Sequence, residues 1–82
     1  MIISAQISLY PLRQDHLGPA IEQVWLALER HGLAPQAGPM STYVTGEHEA
    51  IFAALSDAFG RAAETGHVVL SVTVSNACSI PD

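Results

Sequence analysis

The spacing of the apolar residues changes its period along the chain, and the order of these changes constrains the fold more than any other feature. Over residues 2–11, apolar and polar side chains alternate, which is typical of a strand with one buried face. Helical spacing follows, and the pattern ends in a second clean alternation. The predicted strands lie at about residues 2–11, 34–40, 42–46 and 67–75, and the predicted helices at about residues 16–31 and 47–65.

Each periodic segment has one apolar face that we expect to be buried. In the first strand this face carries Ile3, Ala5, Ile7 and Leu9, and in the last strand it carries Val68, Leu70, Val72 and Val74. The predicted apolar stripes of the helices are Leu17, Ile21, Val24, Trp25 and Leu28 in the first, and Ile51, Phe52, Leu55, Phe59 and Ala62 in the second.

The element order β-α-β-β-α-β within 82 residues predicts a single domain spanning residues 1–82. The fold class is α+β: a ferredoxin-like two-layer sandwich in which a four-stranded antiparallel sheet carries both helices on one face. The right-handed crossover rule predicts the strand order 4-1-3-2. The other face of the sheet is then polar but uncharged.

The composition argues against several classes of partner. Eight acidic residues against three basic ones give a net charge of −5, which disfavours nucleic acid, and we expect the acidic side chains, including Asp57, on solvated helix faces. No apolar run approaches the roughly 18–20 residues of a membrane span, and the first ten residues have no basic segment, so we expect a cytoplasmic protein. Apolar residues make up 49% of the chain and charged residues only 13%, which indicates that a second copy covers part of the surface.

The residue types that most often carry catalysis or bind metals are scattered. His16, His31, His48 and His67 fall in four different places, and none of them forms a helical metal pair. We expect surface or helix-dipole roles for them, with ligand contact as the alternative. Cys78 has no neighbouring base, so we expect it to be structural, with a position beside a ligand as the alternative. We therefore predict no catalytic residue, no metal, no cofactor and no enzyme activity.

Hydroxyl and amide side chains form the most suggestive group in the chain. Such groups both donate and accept hydrogen bonds, so they could orient a heteroaromatic ring that carries an exocyclic amine. A wet sheet face or a subunit interface explains them equally well. The residues are Gln6, Ser8 and Tyr10 on the first strand, Ser41 and Thr42 at the hairpin, and Ser71, Thr73 and Asn76 on and after the last strand.

Three segments together resemble a known family. They are residues 4–12 (SAQISLYPL), 38–46 (GPMSTYVTG) and 72–78 (VTVSNAC). With them, the chain resembles the thiamine-binding YkoF-like family of ferredoxin-like domains over nearly its whole length. The resemblance implies binding of thiamine or its hydroxymethylpyrimidine moiety in salvage or uptake of the vitamin. It also implies that a single-repeat chain assembles as a homodimer or a dimer of dimers.

The resemblance also implies which residues contact the ligand. Ser8 and Thr42 are the first candidates for polar contacts with a pyrimidine. Gln6, Tyr10, Ser41 and Asn76 are the second group. Trp25, by contrast, is expected in the core because of its place on the apolar stripe of the first helix. The rival interpretation is a homo-oligomeric interaction or regulatory module whose polar sheet face is purely a subunit interface.

Overall fold

In the described part of the chain, four strands and two helices follow one another in the predicted order. The computed structural model describes residues 1–13, 18–38 and 41–77. Its elements are β1 (Ile2–Leu12), α1 (Gly18–Arg30), β2 (Gln36–Ala37), β3 (Thr42–Glu47), α2 (His48–Ala63) and β4 (His67–Ser75). The predicted bounds of the two helices and of three strands are therefore close to the observed ones.

The strands form one antiparallel sheet in the order β2-β3-β1-β4, which confirms the predicted order and the ferredoxin-like α+β fold class. The second predicted strand, residues 34–40, was too long, because only Gln36 and Ala37 pair with β3. The chain turns directly afterwards, where the Gly38 N–H donates to the Ser41 carbonyl at 2.7 Å. Residues 39–40 lie outside the described residues.

The alternation along the two long strands is confirmed. Ile3, Ala5 and Ile7 are buried beneath the helices, and Leu9 is half-buried beside them. Val68, Leu70 and Val72 of β4 pack against the same core. Pro11 does not end β1, which continues to Leu12. It lies where β1 has only β4 as a described strand partner, and a residue without an N–H is tolerated at a sheet edge.

The buried faces of the helices match the predicted stripes only in part: Val24, Leu28, Ile51, Leu55 and Ala62 are buried as predicted. Ile21, Phe52 and Phe59 are 42%, 53% and 46% exposed, and Leu17 lies outside the described residues. The helices instead bury mainly small side chains, because each packs against both its neighbour and the sheet. The residues they bury are Ala20, Val24, Ala27 and Leu28 in α1, and Ile51, Ala54, Leu55, Ala58 and Ala62 in α2. No helix within the described ranges is long and apolar enough to span a membrane.

Candidate functional site

A pocket of about 270 Å³ opens between α1 and the sheet. Its lining is mostly apolar, with a few hydroxyl groups, and none of the described lining residues is charged. This is the usual composition of small-molecule sites, where apolar walls exclude water and a few polar groups orient the ligand. The lining residues are Ile7, Ser8 and Leu9 of β1, Ile21, Val24 and Trp25 of α1, and Ala37, Gly38, Ser41 and Thr42 around β2 and β3.

The pocket exists because the sheet is incomplete at this point. β1 pairs with β3 only from Ile2 to Ile7, and beyond Ile7 the strand that pairs with it in the described chain is β4. β2 pairs with β3 through two residues only. The space that longer strands would occupy therefore stays open, and the Ile21–Trp25 turn of α1 covers it.

Thr42 faces the pocket and not the polar sheet face. The register places it opposite Ile7, on the side that carries the buried Val44, because residues two apart on a strand share a face. The indole Nε1 of Trp25 donates a hydrogen bond to the Thr42 Oγ1 at 3.2 Å. The sequence placed Thr42 at the hairpin but did not indicate which side of the sheet it faces.

The structure brings Ser8, Ser41 and Thr42 together at the pocket. Ser8 is half-buried and lies opposite Ser71 in the β1–β4 pairing. Ser41 connects the pocket to the open sheet face, since its Oγ accepts a hydrogen bond from the Gln6 Nε2 at 3.3 Å. Gln6 itself does not line the pocket, but it borders it through this bond.

Tyr10 and Asn76 do not join this group. Tyr10 lies opposite Val69 and is 52% exposed. Asn76 follows the residue that pairs with Ser4, four positions along β1 from Ser8, which corresponds to about 13 Å. Its side-chain amide donates to the Met1 Sδ at 3.7 Å. The six candidate residues therefore do not form one site around a single small ligand.

The uncovered sheet face carries rows of hydroxyl side chains, as the alternation predicted. Gln6 lies opposite Thr73, and Ser4 lies between Thr45 and Ser75 in adjacent strands. The Ser4 and Thr45 hydroxyls are 3.4 Å apart, and Ser4 is almost fully buried by its neighbours.

Charge is concentrated away from the pocket, between the two helices. The Asp57 carboxylate accepts hydrogen bonds from Arg61 at 3.1 Å and from Arg30 at 3.3 Å, and His31 Nε2 lies 3.3 Å from it. The Arg61 hydrogen bond, helped by Arg30 and His31, lowers the pKa of Asp57, although partial desolvation opposes the shift. Asp57 remains partly exposed on the helix surface, and its ion pairs also connect the end of α1 to α2.

The described residues offer no metal centre. No three His, Cys, Asp or Glu side chains among them come close enough to hold an ion. His16 and Cys78 lie outside the described residues. His48 begins α2, and its Nδ1 is buried without a hydrogen-bond partner in the described part of the chain.

Sequence reasoning missed the part that Trp25 plays in the pocket. Its place on the apolar stripe of α1 indicated a core residue. The side chain is only half-buried, and its N–H donates a hydrogen bond to Thr42. The signal that could have found it is chemical. A buried indole N–H needs an acceptor, and the pocket side of β3 begins with a threonine.

Fold and pocket together define the class: a small ferredoxin-like α+β domain with a mostly apolar, hydroxyl-bearing pocket beneath its first helix. The chain belongs to the YKOF-related family, whose model matches residues 2–80. No functionally curated protein is similar to it in sequence.

Three crystal structures show the same fold at low sequence identity. A Streptococcus pneumoniae protein is 23% identical with a TM-score of 0.81, over 92% of this chain and 86% of its own. A Thermotoga maritima protein, for which a role in thiamine biosynthesis or salvage has been proposed, is 21% identical with a TM-score of 0.78, over 90% and 82%. A hypothetical protein of Methanocaldococcus jannascii is 17% identical with a TM-score of 0.82, over 98% and 84%.

Proposed function

We propose that this protein binds thiamine or its hydroxymethylpyrimidine moiety in the pocket beneath α1 and takes part in salvage or uptake of the vitamin without catalysing a reaction. The observation that carries the proposal is the pocket itself, in which apolar walls surround the Thr42 hydroxyl. Membership of the YKOF-related family and the thiamine role proposed for the Thermotoga maritima protein support the choice of ligand.

The pocket chemistry suits a flat, substituted heteroaromatic ring. Val24, Ile21 and Leu9 supply apolar contact area for the ring faces. Thr42 supplies a hydroxyl that can donate to a ring nitrogen, and Ser41 adds a second hydroxyl to the pocket lining. An acidic protein also attracts a cationic ligand at long range, which suits the positively charged thiazolium ring of thiamine.

The distribution of basic residues favours unphosphorylated ligands. The chain has three Arg and no Lys, and Arg30 and Arg61 are engaged by Asp57 between the helices. None of the described residues that line the pocket can neutralise a diphosphate. We therefore propose thiamine and the free pyrimidine as ligands ahead of thiamine diphosphate.

The proposal of binding without catalysis rests on the kinds of side chain that meet in the pocket. General acid–base chemistry needs a titratable group within hydrogen-bonding reach of the substrate. The described lining residues supply neutral hydroxyls, and no His, Asp or Glu is among them to act as a base. Binding and release are the steps that such a lining supports.

The direct test is isothermal calorimetry of the purified protein with thiamine, hydroxymethylpyrimidine and thiamine diphosphate, preceded by thermal-shift titration. We expect saturable stabilisation and heat of binding with thiamine or the pyrimidine. The absence of both with all three compounds at millimolar concentration would refute the proposal and favour an interaction module.

The uncovered sheet face supports a second candidate, a homo-oligomeric interaction or regulatory module. Ser4, Gln6 and Thr45 lie on this face together with the exposed apolar side chains of Tyr10 and Val69. A second copy packed there would form a homodimer or a dimer of dimers. Sedimentation equilibrium, with a melting temperature that rises with protein concentration, would support this candidate. A monomer at all concentrations would exclude it.

A further inference from the structure

We propose that Trp25 determines the specificity of the pocket by making the Thr42 hydroxyl a hydrogen-bond donor towards the ligand. The pocket would then select a ring that carries an acceptor nitrogen at this position and reject the same ring with a C–H there. This inference deepens the proposed function and rests on it.

The first step is the hydrogen-bond inventory of the two side chains. An indole N–H can only donate, whereas a hydroxyl has one proton and two lone pairs. The Trp25 Nε1 therefore occupies one lone pair of the Thr42 Oγ1, at 3.2 Å. The Thr42 proton cannot point at Trp25, and it has no acceptor among the described residues. It is the group that remains for a ligand.

The second step is that this arrangement is held by regular structure on both sides. Trp25 lies in the middle of α1, and its indole has only two rotatable side-chain bonds. Thr42 is the first residue of β3 and pairs with Ile7 on one side and Ala37 on the other. Side chains that are positioned by helices and strands hold hydrogen-bond directions more precisely than side chains on loops.

The third step concerns the strength of the remaining donor. A hydroxyl that accepts a hydrogen bond becomes a better donor, because the two bonds polarise each other in a site of low dielectric constant. Thr42 is half-buried and the pocket around it is mostly apolar, which favours this effect. Trp25 thus acts on the ligand through Thr42 and is a positioning residue.

Because the Thr42 hydroxyl donates towards the ligand, the ligand must offer it an acceptor atom. A pyrimidine nitrogen has a lone pair in the plane of the ring and can accept the Thr42 proton. A ring with C–H at that place leaves a partly buried donor unpaired, which weakens binding by roughly ten- to a hundredfold. The Ile21 side chain contacts the ligand through apolar surface only, so it cannot distinguish the two rings in this way.

The experiment compares hydroxymethylpyrimidine with its two analogues in which one ring nitrogen is replaced by C–H. Calorimetry gives the affinity of each compound for the wild-type protein, for Trp25→Phe and for Ile21→Ala. We expect the wild type to bind one analogue at least about tenfold more weakly than the parent. Trp25→Phe is expected to reduce this ratio at least threefold, because the freed hydroxyl can reorient. Ile21→Ala is expected to weaken binding of both compounds and leave the ratio unchanged.

A second variant is needed in case Trp25→Phe does not fold. Trp25 is the single tryptophan of the chain, so biosynthetic incorporation of benzothienylalanine replaces its N–H with sulfur at this one position and retains a bicyclic aromatic side chain. A reduced ratio in this protein supports the inference. An unchanged ratio overturns it while the proposed function stands, because the parent compound still binds. If the wild type binds none of the compounds, the proposed function itself fails, and the inference fails with it.

Discussion

The Trp25 Nε1 and the Thr42 Oγ1 are joined by a 3.2 Å hydrogen bond that crosses the pocket from α1 to the first residue of β3. The bond gives the indole N–H an acceptor at the edge of the core, where it would otherwise be unpaired. It also means that a change at Thr42 affects both the stability of the helix–sheet contact and the polarity of the pocket, and these effects can be measured separately.

Thr42→Val removes the hydroxyl and retains the shape of the side chain. We expect the free energy of unfolding to fall by about 1 kcal/mol, because the Trp25 N–H loses its acceptor. We expect the affinity for hydroxymethylpyrimidine to fall about tenfold in calorimetry. Thr45→Val is the control on the same strand, since Thr45 lies on the open face and should leave the affinity unchanged. Unchanged affinity of Thr42→Val would show that Thr42 does not contact the ligand.

Asp57 should make stability depend on pH in the acid range. Its folded-state pKa is lowered by Arg61, Arg30 and His31, so the stabilising contribution is complete above the unfolded-state pKa, near 3.8. The contribution is lost as the pH falls from that value through the lowered pKa. Urea unfolding between pH 7 and pH 2 should therefore show a steeper acid loss of stability in the wild type than in Asp57→Asn.

The matched control for this experiment is Glu49→Gln, which removes an exposed carboxylate from the first turn of the same helix. Its acid profile should follow that of the wild type. The difference between the wild type and Asp57→Asn should also shrink in 1 M salt, because half-exposed ion pairs are screened. Parallel acid profiles for the wild type and Asp57→Asn would contradict the ion-pair assignment.

Because one face of α2 is tightly packed, enlarging a side chain on that face should lower the free energy of unfolding, whereas enlarging one on the exposed face should not. Ala58 is fully buried, whereas Ala53 is an exposed residue of the same helix. Ala58→Leu should lower the free energy of unfolding by about 1–3 kcal/mol, because the added atoms force the packed elements apart. Ala53→Leu should change it by less than about 0.5 kcal/mol. Equal effects of the two variants in urea unfolding would contradict the observed orientation of α2.

The pocket predicts no gain in affinity from phosphorylation of the ligand. Thiamine diphosphate should bind no more tightly than thiamine in calorimetry, because the described lining has no Arg to pair with phosphate oxygens. Raising the salt concentration should have little effect on the affinity for hydroxymethylpyrimidine, which is uncharged. Preferential binding of the diphosphate would place the site elsewhere on the molecule.

The sequence predicted the sheet well because the evidence for it was local. Alternation with period two assigns every residue of a strand to a face, so the burial of Ile3, Ala5 and Ile7 could be read directly. The strand order followed from the handedness of the crossovers. Family membership, inferred from three short segments, is confirmed by a match over residues 2–80.

The helices and the site were predicted less well because their arrangement depends on distant neighbours. Large apolar residues such as Phe52 and Phe59 suggested the buried face of α2, but the narrow space between helix and sheet accepts Ala54 and Ala58 instead. The side that Thr42 faces depends on its register with β1, which is a pairing across 35 residues of sequence. Composition says nothing about such a register, and hydroxyl-rich segments look the same on either side of a sheet.

The small side chains at the buried faces of α1 and α2 have a further consequence for the protein in a cell. For a domain of 82 residues whose helices bury mainly small side chains, we expect a free energy of unfolding near the low end of the usual range of about 5–15 kcal/mol. A ligand present at 100 times its dissociation constant would add about 2.7 kcal/mol. Molecules that carry the ligand would then escape degradation far longer than empty ones. Under the proposed function, the abundance of the protein would therefore rise with the supply of its ligand.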